Sequence, residues 1–152
     1  GDWSSDVCSS DLDAHHTAST HHTSAYHVAL FTGGTAVKGH TAFTLGGEVE
    51  YRLPVWHQRI GVAALVDATL GEHATTIAGG ALTVRPLPAV SNVKFVLAPS
   101  AEFKSGHTMF FFFFGVGVDF HVGSLSVTPA ANLDFVDGHV AKVFGLHFGV
   151  GF

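Results

Sequence analysis

The chain alternates, and that alternation limits what it can become. In its last ten residues, VFGLHFGVGF, the side chains of Phe144, Leu146, Phe148, Val150 and Phe152 fall on one side of an extended backbone. Gly145, His147, Gly149 and Gly151 fall on the other. The same two-residue period returns along the chain, and no stretch carries a convincing 3.6-residue period. Breaks at Gly, Pro, Asp and His clusters divide it into eight extended segments, approximately 24–33, 41–53, 59–70, 75–85, 93–104, 109–122, 125–136 and 140–152. A chain patterned this way makes sheets with two chemically unlike faces.

The faces differ in kind. In the second segment Phe43, Leu45, Val49, Tyr51 and Leu53 oppose Thr44, Glu48, Glu50 and Arg52. In the fifth, Val93, Phe95, Leu97, Ala101 and Phe103 oppose Lys94, Ser100, Glu102 and Lys104. In the sixth, Phe112, Phe114, Val116, Val118 and Phe120 oppose Asp119 and His121. In the seventh, Leu125, Val127, Leu133 and Phe135 oppose Ser126, Thr128, Asn132 and Asp134. The third and fourth are weaker, but Asp67 and Arg85 take the same polar side. Two closed architectures use such a pattern. A soluble sandwich or lipocalin-like barrel turns the apolar face inward, around a core or a greasy ligand. A membrane barrel inverts it, with lipid outside and a polar lumen.

Composition fits the inverted form, and a rich soluble core would give similar bulk numbers, so the choice rests on the charged face. No stretch approaches the roughly 20 uncharged apolar residues of a membrane helix. The longest apolar run, 109–118, is about one membrane strand long and is interrupted by glycines. Charge is low and no basic patch stands out, so nucleic acid is not expected as a partner. The expected fold is therefore all-β: an eight-stranded, antiparallel, up-and-down transmembrane β-barrel, monomeric and without a cofactor. Glu48, Glu50, Asp67, Glu102, Asp119 and Asp134 share its lumen with Arg52, Arg85, Lys94 and Lys104, in near balance, as buried charges require. Arg52 with Glu48 and Glu50 is the expected centre of that network, as scaffold rather than catalyst. Eight strands leave an interior just filled by side chains, so conduction is not expected.

A resemblance supports this reading. The closing segment, from Phe144 to Phe152, resembles the last strand of bacterial outer-membrane β-barrels, and the likeness implies that its aromatic stripe is read by the barrel-assembly machinery. HVALFTGGT, TAFTLGGEVEYRL, RIGVAALVD, GVGVDFHVG, LSVTPAANLDFVDG and FGLHFGVGF resemble small porin-like outer-membrane proteins, from about His27 onward. The resemblance implies fold, an outer-membrane location and lipid as a partner. It implies no reaction. With both termini in the periplasm, as even-stranded barrels of this kind place them, the connections at 35–40, 71–74, 105–108 and 137–139 face outward. Those at 54–58, 86–92 and 123–124 face the periplasm.

The first twelve residues, GDWSSDVCSSDL, stand apart. Asp2 to Leu12 match a translated sequencing adapter without a gap, so residues 1–12 are set aside, 13–23 are read as a His-rich flexible leader, and the barrel domain spans 24–152. Cys8, the one cysteine, goes with the adapter and says nothing of disulfide chemistry. Without Asp2, Asp6 and Asp11 the formal net charge is −2 in place of −5. An export signal would have stood upstream, where the adapter now is.

Four features invite other readings. His15, His16, His21, His22 and His27 form the pattern HHx4HHx4H, and imidazoles in a flexible tract chelate Zn, Cu or Ni weakly. His40, His73, His107 and His139 fall one in each outward connection and make a candidate rim that gains charge near pH 6 or binds metal. Ser126, His121 and Asp119, with Asp134 on the next strand, allow a lipid-modifying enzyme, but no strained nucleophile motif surrounds the serine. Pro129 inside the seventh segment points to a bulge. Alternation sends Phe111 and Phe113 of the five-Phe run inward, where they either plug the lumen or reflect a reading fault in a T-rich stretch.

Overall fold

A computed structural model describes residues 24–71, 74–86, 92–104, 106–136 and 138–152. Among them the strands are β1 (Tyr26–Val37), β2 (His40–Arg52), β3 (Ile60–Leu70), β4 (Thr75–Val84), β5 (Val93–Lys104), β6 (His107–Val118), β7 (Phe120–Val122), β8 (Leu125–Val136) and β9 (His139–Gly151). Each pairs antiparallel with its neighbour, and β1 pairs with β9 from His27↔Gly151 to Ala36↔Lys142. The sheet therefore closes on itself, and no edge is left to pair elsewhere. The described residues contain no helix long and apolar enough to cross a membrane.

β6 and β7 are two halves of one stave, so the barrel has eight. Both pair with β8 in the same register, Gly117↔Ala130 on one side of the gap and Phe120↔Val127 on the other. Opposite the gap stands Pro129, which has no N–H to give to the ladder. The pairing of β8 with β9 runs unbroken through Pro129↔Leu146. The expected bulge is thus corrected to a lapse in one ladder with no change of register. On the other side of the stave the pairing with β5 carries on past Val93↔Val118, and the Asp119 N–H donates to the Asn92 carbonyl at 2.7 Å.

The first strand is also longer than expected. It continues to Val37 and turns through Lys38 and Gly39, both at positive φ (48° and 84°), into β2. The two-residue turn with left-handed central residues matches the twist of the strands it joins. At the other end of the barrel, β2 and β3 are joined through a single turn, Trp56–Gln58, whose three residues all have positive φ. The same end holds both ends of the barrel domain: Phe152 exchanges backbone hydrogen bonds with Tyr26 at 3.0 and 3.2 Å.

Alternation sets which way each side chain points, and exposure shows the direction. Along β2, Phe43, Leu45 and Val49 are about half exposed, whereas Thr44, Glu48, Glu50 and Arg52 are buried. Phe144, Leu146, Phe148, Val150 and Phe152 all face outward. Among the described residues, fourteen buried side chains are polar or charged and ten are apolar. The barrel is inside out relative to a soluble one.

Candidate functional site: a sealed lumen

The lumen has two unlike halves. Near the end that carries the termini, charged groups converge from four staves. Arg85, just past β4, donates from Nη1 and Nη2 to both carboxylate oxygens of Glu50 at 2.7 and 3.0 Å. The same guanidinium reaches Asp119 Oδ2 from Nε and Nη2 at 3.4 and 3.3 Å. Thr83 donates to Glu50 Oε1 at 2.6 Å, and Thr128 donates to Asp119 Oδ1 at 2.7 Å. Beside this triad Lys94 donates to Glu48 Oε1 at 2.8 Å. Each of these charged groups is less than a tenth exposed. A paired charge with its remaining lone pairs engaged is the form in which charge tolerates burial.

Gly61 makes this geometry reachable. Glu50 on β2 and Thr83 on β4 have β3 between them, and Gly61 is the β3 residue paired with Thr83. A Cβ on Gly61 would lie 2.5 Å from Thr83 Oγ1 and 2.6 Å from Glu50 Oε1. With hydrogen there instead, the Glu50 carboxylate lies over β3 and joins its two neighbours. A similar economy operates where β1 meets β9. The Phe31 ring lies over Gly145 and packs against His147, with ring centroids 4.8 Å apart, and the His27 ring lies over Gly149.

The other half of the lumen is greasy and acidic. Phe111 and Phe113 point inward and pack with Leu65, Ala81, Val96 and Ala98, which leaves the five-Phe run a structural use as filling. Above them Thr35, Thr44 and Thr69 line the wall, the first two joined at 2.6 Å. Asp67 and Asp134 border the same small cavity. No ion pair to either is seen among the described residues. A second cavity, between Glu48, Lys94, His147, Phe31 and Phe113, has a volume of about 20 Å³. That is room for a water or two.

Three expectations about the site are corrected here. The centre of the network is Arg85 and not Arg52. Arg52 is buried, but it takes part in no ion pair among the described residues and its Nε has no hydrogen-bond partner. Lys104 has the parity of the lumen but sits at the mouth of the barrel and is exposed; Glu102, one turn of the pleat further in, is half-buried. The third correction removes the soluble reading. Phe112, Phe114, Phe148 and Phe152 are 44 to 68% exposed and point away from the interior, and the two cavities seen among the described residues are too small for an apolar ligand.

The catalytic alternative is also rearranged. His121 is exposed, and the imidazole that meets Ser126 is His27, with Nε2 and Oγ 2.7 Å apart. Asp119 is engaged by Arg85 and Thr128, and His27 Nδ1 has no partner. Ser126, its histidine and Asp119 are therefore not in line. Of the rim histidines, His40, His107 and His139 are exposed at one end of the barrel, and His73 lies outside the described residues. His15, His16, His21 and His22, the adapter-like stretch and the leader lie outside them as well. Among the described residues no three His, Cys, Asp or Glu side chains are grouped to hold a metal ion. The role of His27 and of the Gly61 window was missed in the sequence, where neither has a local signal.

No protein-family model and no curated protein matches the sequence. Solved structures do resemble the fold. The N-terminal β-barrel domain of Pseudomonas aeruginosa OprF superposes with a TM-score of 0.61 at 12% identity, over 83% of this chain and 97% of that one. Neisserial surface protein A gives 0.55 at 10% identity, over 84% and 96%. The Yersinia pestis outer membrane protein Ail, in a phospholipid bilayer nanodisc, gives 0.51 at 11% identity, over 83% and 99%. At such low identity the likeness is one of architecture: this chain folds as a closed, eight-stranded, antiparallel β-barrel like theirs.

Proposed function

We propose that the chain is a small transmembrane barrel of the bacterial outer membrane with a structural, porin-like role and a lumen closed to bulk flow. The observation that carries this is the inversion of the two faces. A belt with a member on every stave, Leu30, Val49, Val66, Leu82, Leu97, Phe114, Leu133 and Phe148, surrounds the barrel, while Glu48, Glu50, Arg85, Lys94 and Asp119 are sealed inside. Soluble proteins rarely expose a contiguous apolar surface of that size. The closed sheet pairs the backbone of each stave with both its neighbours and leaves no open edge, which hydrocarbon demands. Tyr26, Tyr51 and Phe152 cluster at the end with the termini, with ring centroids 5.0 and 6.2 Å from Tyr26, where an aromatic girdle meets a headgroup layer. One of the similar barrels, Ail, is an outer membrane protein solved in a lipid bilayer. In this reading lipid is the principal partner, the barrel-assembly machinery reads the stripe from Phe144 to Phe152, and the lumen residues hold the barrel in shape rather than turn over a substrate.

Refolding from urea into detergent micelles tests the proposal. The folded barrel is expected to run faster on a cold gel than after boiling, and to show no steady pore-sized conductance in a planar bilayer. A chain that stays monodisperse in buffer without detergent, with no heat-dependent shift in migration, would overturn the membrane reading. A large steady conductance would overturn the sealed lumen alone.

A further inference from the structure

Exposed ionic charge gathers at one rim of the barrel. Among the described residues the exposed ionic side chains are Lys38, Lys104 and Lys142, and every described carboxylate side chain is buried or half-buried on the lumen side. All three lysines belong to the end opposite the termini. None takes part in an ion pair among the described residues. Glu72 and Asp137, in connections at the same end, lie outside them, and three lysines against two acids still leave that rim cationic by sequence.

Two of these lysines are neighbours across the seam where the barrel closes. Lys142 on β9 pairs with Ala36 on β1, two residues before Lys38 in the β1–β2 turn. Lys38 holds φ = 48°, a left-handed position that such turns usually give to Asn, Asp or Gly. Lys142 faces outward, with the parity of Phe144 and Val140, and stands directly opposite Leu133. A lysine rooted in apolar surface runs its stem along that surface and carries the ammonium to the polar layer. Beneath the pair, Gly34 is flanked by Phe43 on β2 and Phe144 on β9, both about half exposed. A Cβ on Gly34 would meet nothing nearer than 3.7 Å, so the space between the two rings is open. Two cations thus stand directly above an apolar cleft that is continuous with the lipid-facing belt.

The geometry points to a binding site for a phosphate-bearing membrane lipid on the outer wall of the barrel, with Lys38 and Lys142 on the phosphate and an acyl chain in the cleft between Phe43 and Phe144. This rests on the membrane reading above. The occupant follows from charge and continuity: an anion bound from water has no use for the cleft, and a neutral lipid has none for the lysines.

The test uses the whole chain refolded into phosphate-free lauryldimethylamine oxide micelles and followed by amide NMR. Dioctanoyl phosphatidic acid should produce saturable shifts at Lys38, Gly39, Lys142 and Phe144. Each lysine near an anionic surface contributes about fivefold in affinity, so the K38Q/K142Q double variant should bind roughly 25-fold more weakly. K104Q, across the barrel, should bind within about twofold of the parent. Inorganic phosphate or dioctanoylglycerol at the same concentration should give no saturation at these amides. The site is refuted if the double variant binds as tightly as the parent, if K104Q costs as much, or if either control lipid or ion saturates the same amides. A folded barrel that ignores phosphatidic acid removes this site and leaves the membrane reading intact. Failure to fold in micelles removes both.

Discussion

Replacing Glu50 by Ala tests the reading of the lumen most directly. Glu50 is fully buried and accepts three short hydrogen bonds, two from Arg85 and one from Thr83. Its removal leaves Arg85 with Asp119 alone, at 3.3 and 3.4 Å, and leaves the Thr83 hydroxyl without its acceptor. Breaking a buried ion pair from one side costs about 3–5 kcal/mol, because the charge left behind stays desolvated. Removing Arg85 as R85A should cost a similar amount, since Glu50 is then the stranded ion. The double variant strands neither, so its loss should fall short of the sum of the single losses by about 2 kcal/mol or more. Thr83 and Asp119 keep the coupling from being complete, because each loses a partner in one arm of the cycle. The assay is reversible urea unfolding in lipid vesicles, followed by Trp56 fluorescence in a W3F background, since Trp3 and Trp56 are the two tryptophans of the chain. A single variant within 1 kcal/mol of the parent would refute the argument that Arg85 is the organising cation. So would additivity of the two losses.

Three further outcomes follow from the same geometry. F113A removes a ring from the inward cluster with Leu65 and Val96 and should lower unfolding stability by about 3–5 kcal/mol in the same assay. G61V drives a side chain between Glu50 and Thr83 and should cost about 1–3 kcal/mol; G39A, at a turn with open space around it, should fail through its positive φ instead, by a smaller amount, about 1 kcal/mol. L30R places a charge on the outward face halfway along β1 and should cost about 2–4 kcal/mol in a bilayer, whereas V55R, in the turn beyond the belt, should cost about 0–1 kcal/mol. Equal losses for L30R and V55R would count against a lipid-facing belt.

Much of this architecture is legible along the chain because a strand has a period of two. Phe43, Leu45 and Val49 had to share a face that Thr44, Glu48 and Glu50 did not, whatever the strands did next. Eight such segments separated by turn residues left a closed barrel as the economical solution, and the charge on one face left the choice of which face turned inward. Lys104 shows the limit of that logic. Parity assigned it to the lumen, but its position at the end of β5 put it in the open. Parity tells direction and not depth.

What only the tertiary structure decided is who meets whom across the barrel. Arg52 and Glu50 lie two apart on one strand, which makes them look like partners, but side chains on neighbouring same-face positions of a strand stand side by side rather than head to head. Arg85 comes from beyond β4 and reaches Glu50 through the gap that Gly61 leaves on β3. Asp119 completes the triad from a break in its own stave opposite Pro129. Those meetings depend on the stagger between strands and on a missing Cβ, neither of which any single segment records. The sequence by itself determined an alternating chain with one apolar and one charged face; closure and register decided that Arg85 meets Glu50 and Asp119, and Lys94 meets Glu48, inside one half of the lumen while phenylalanines fill the other.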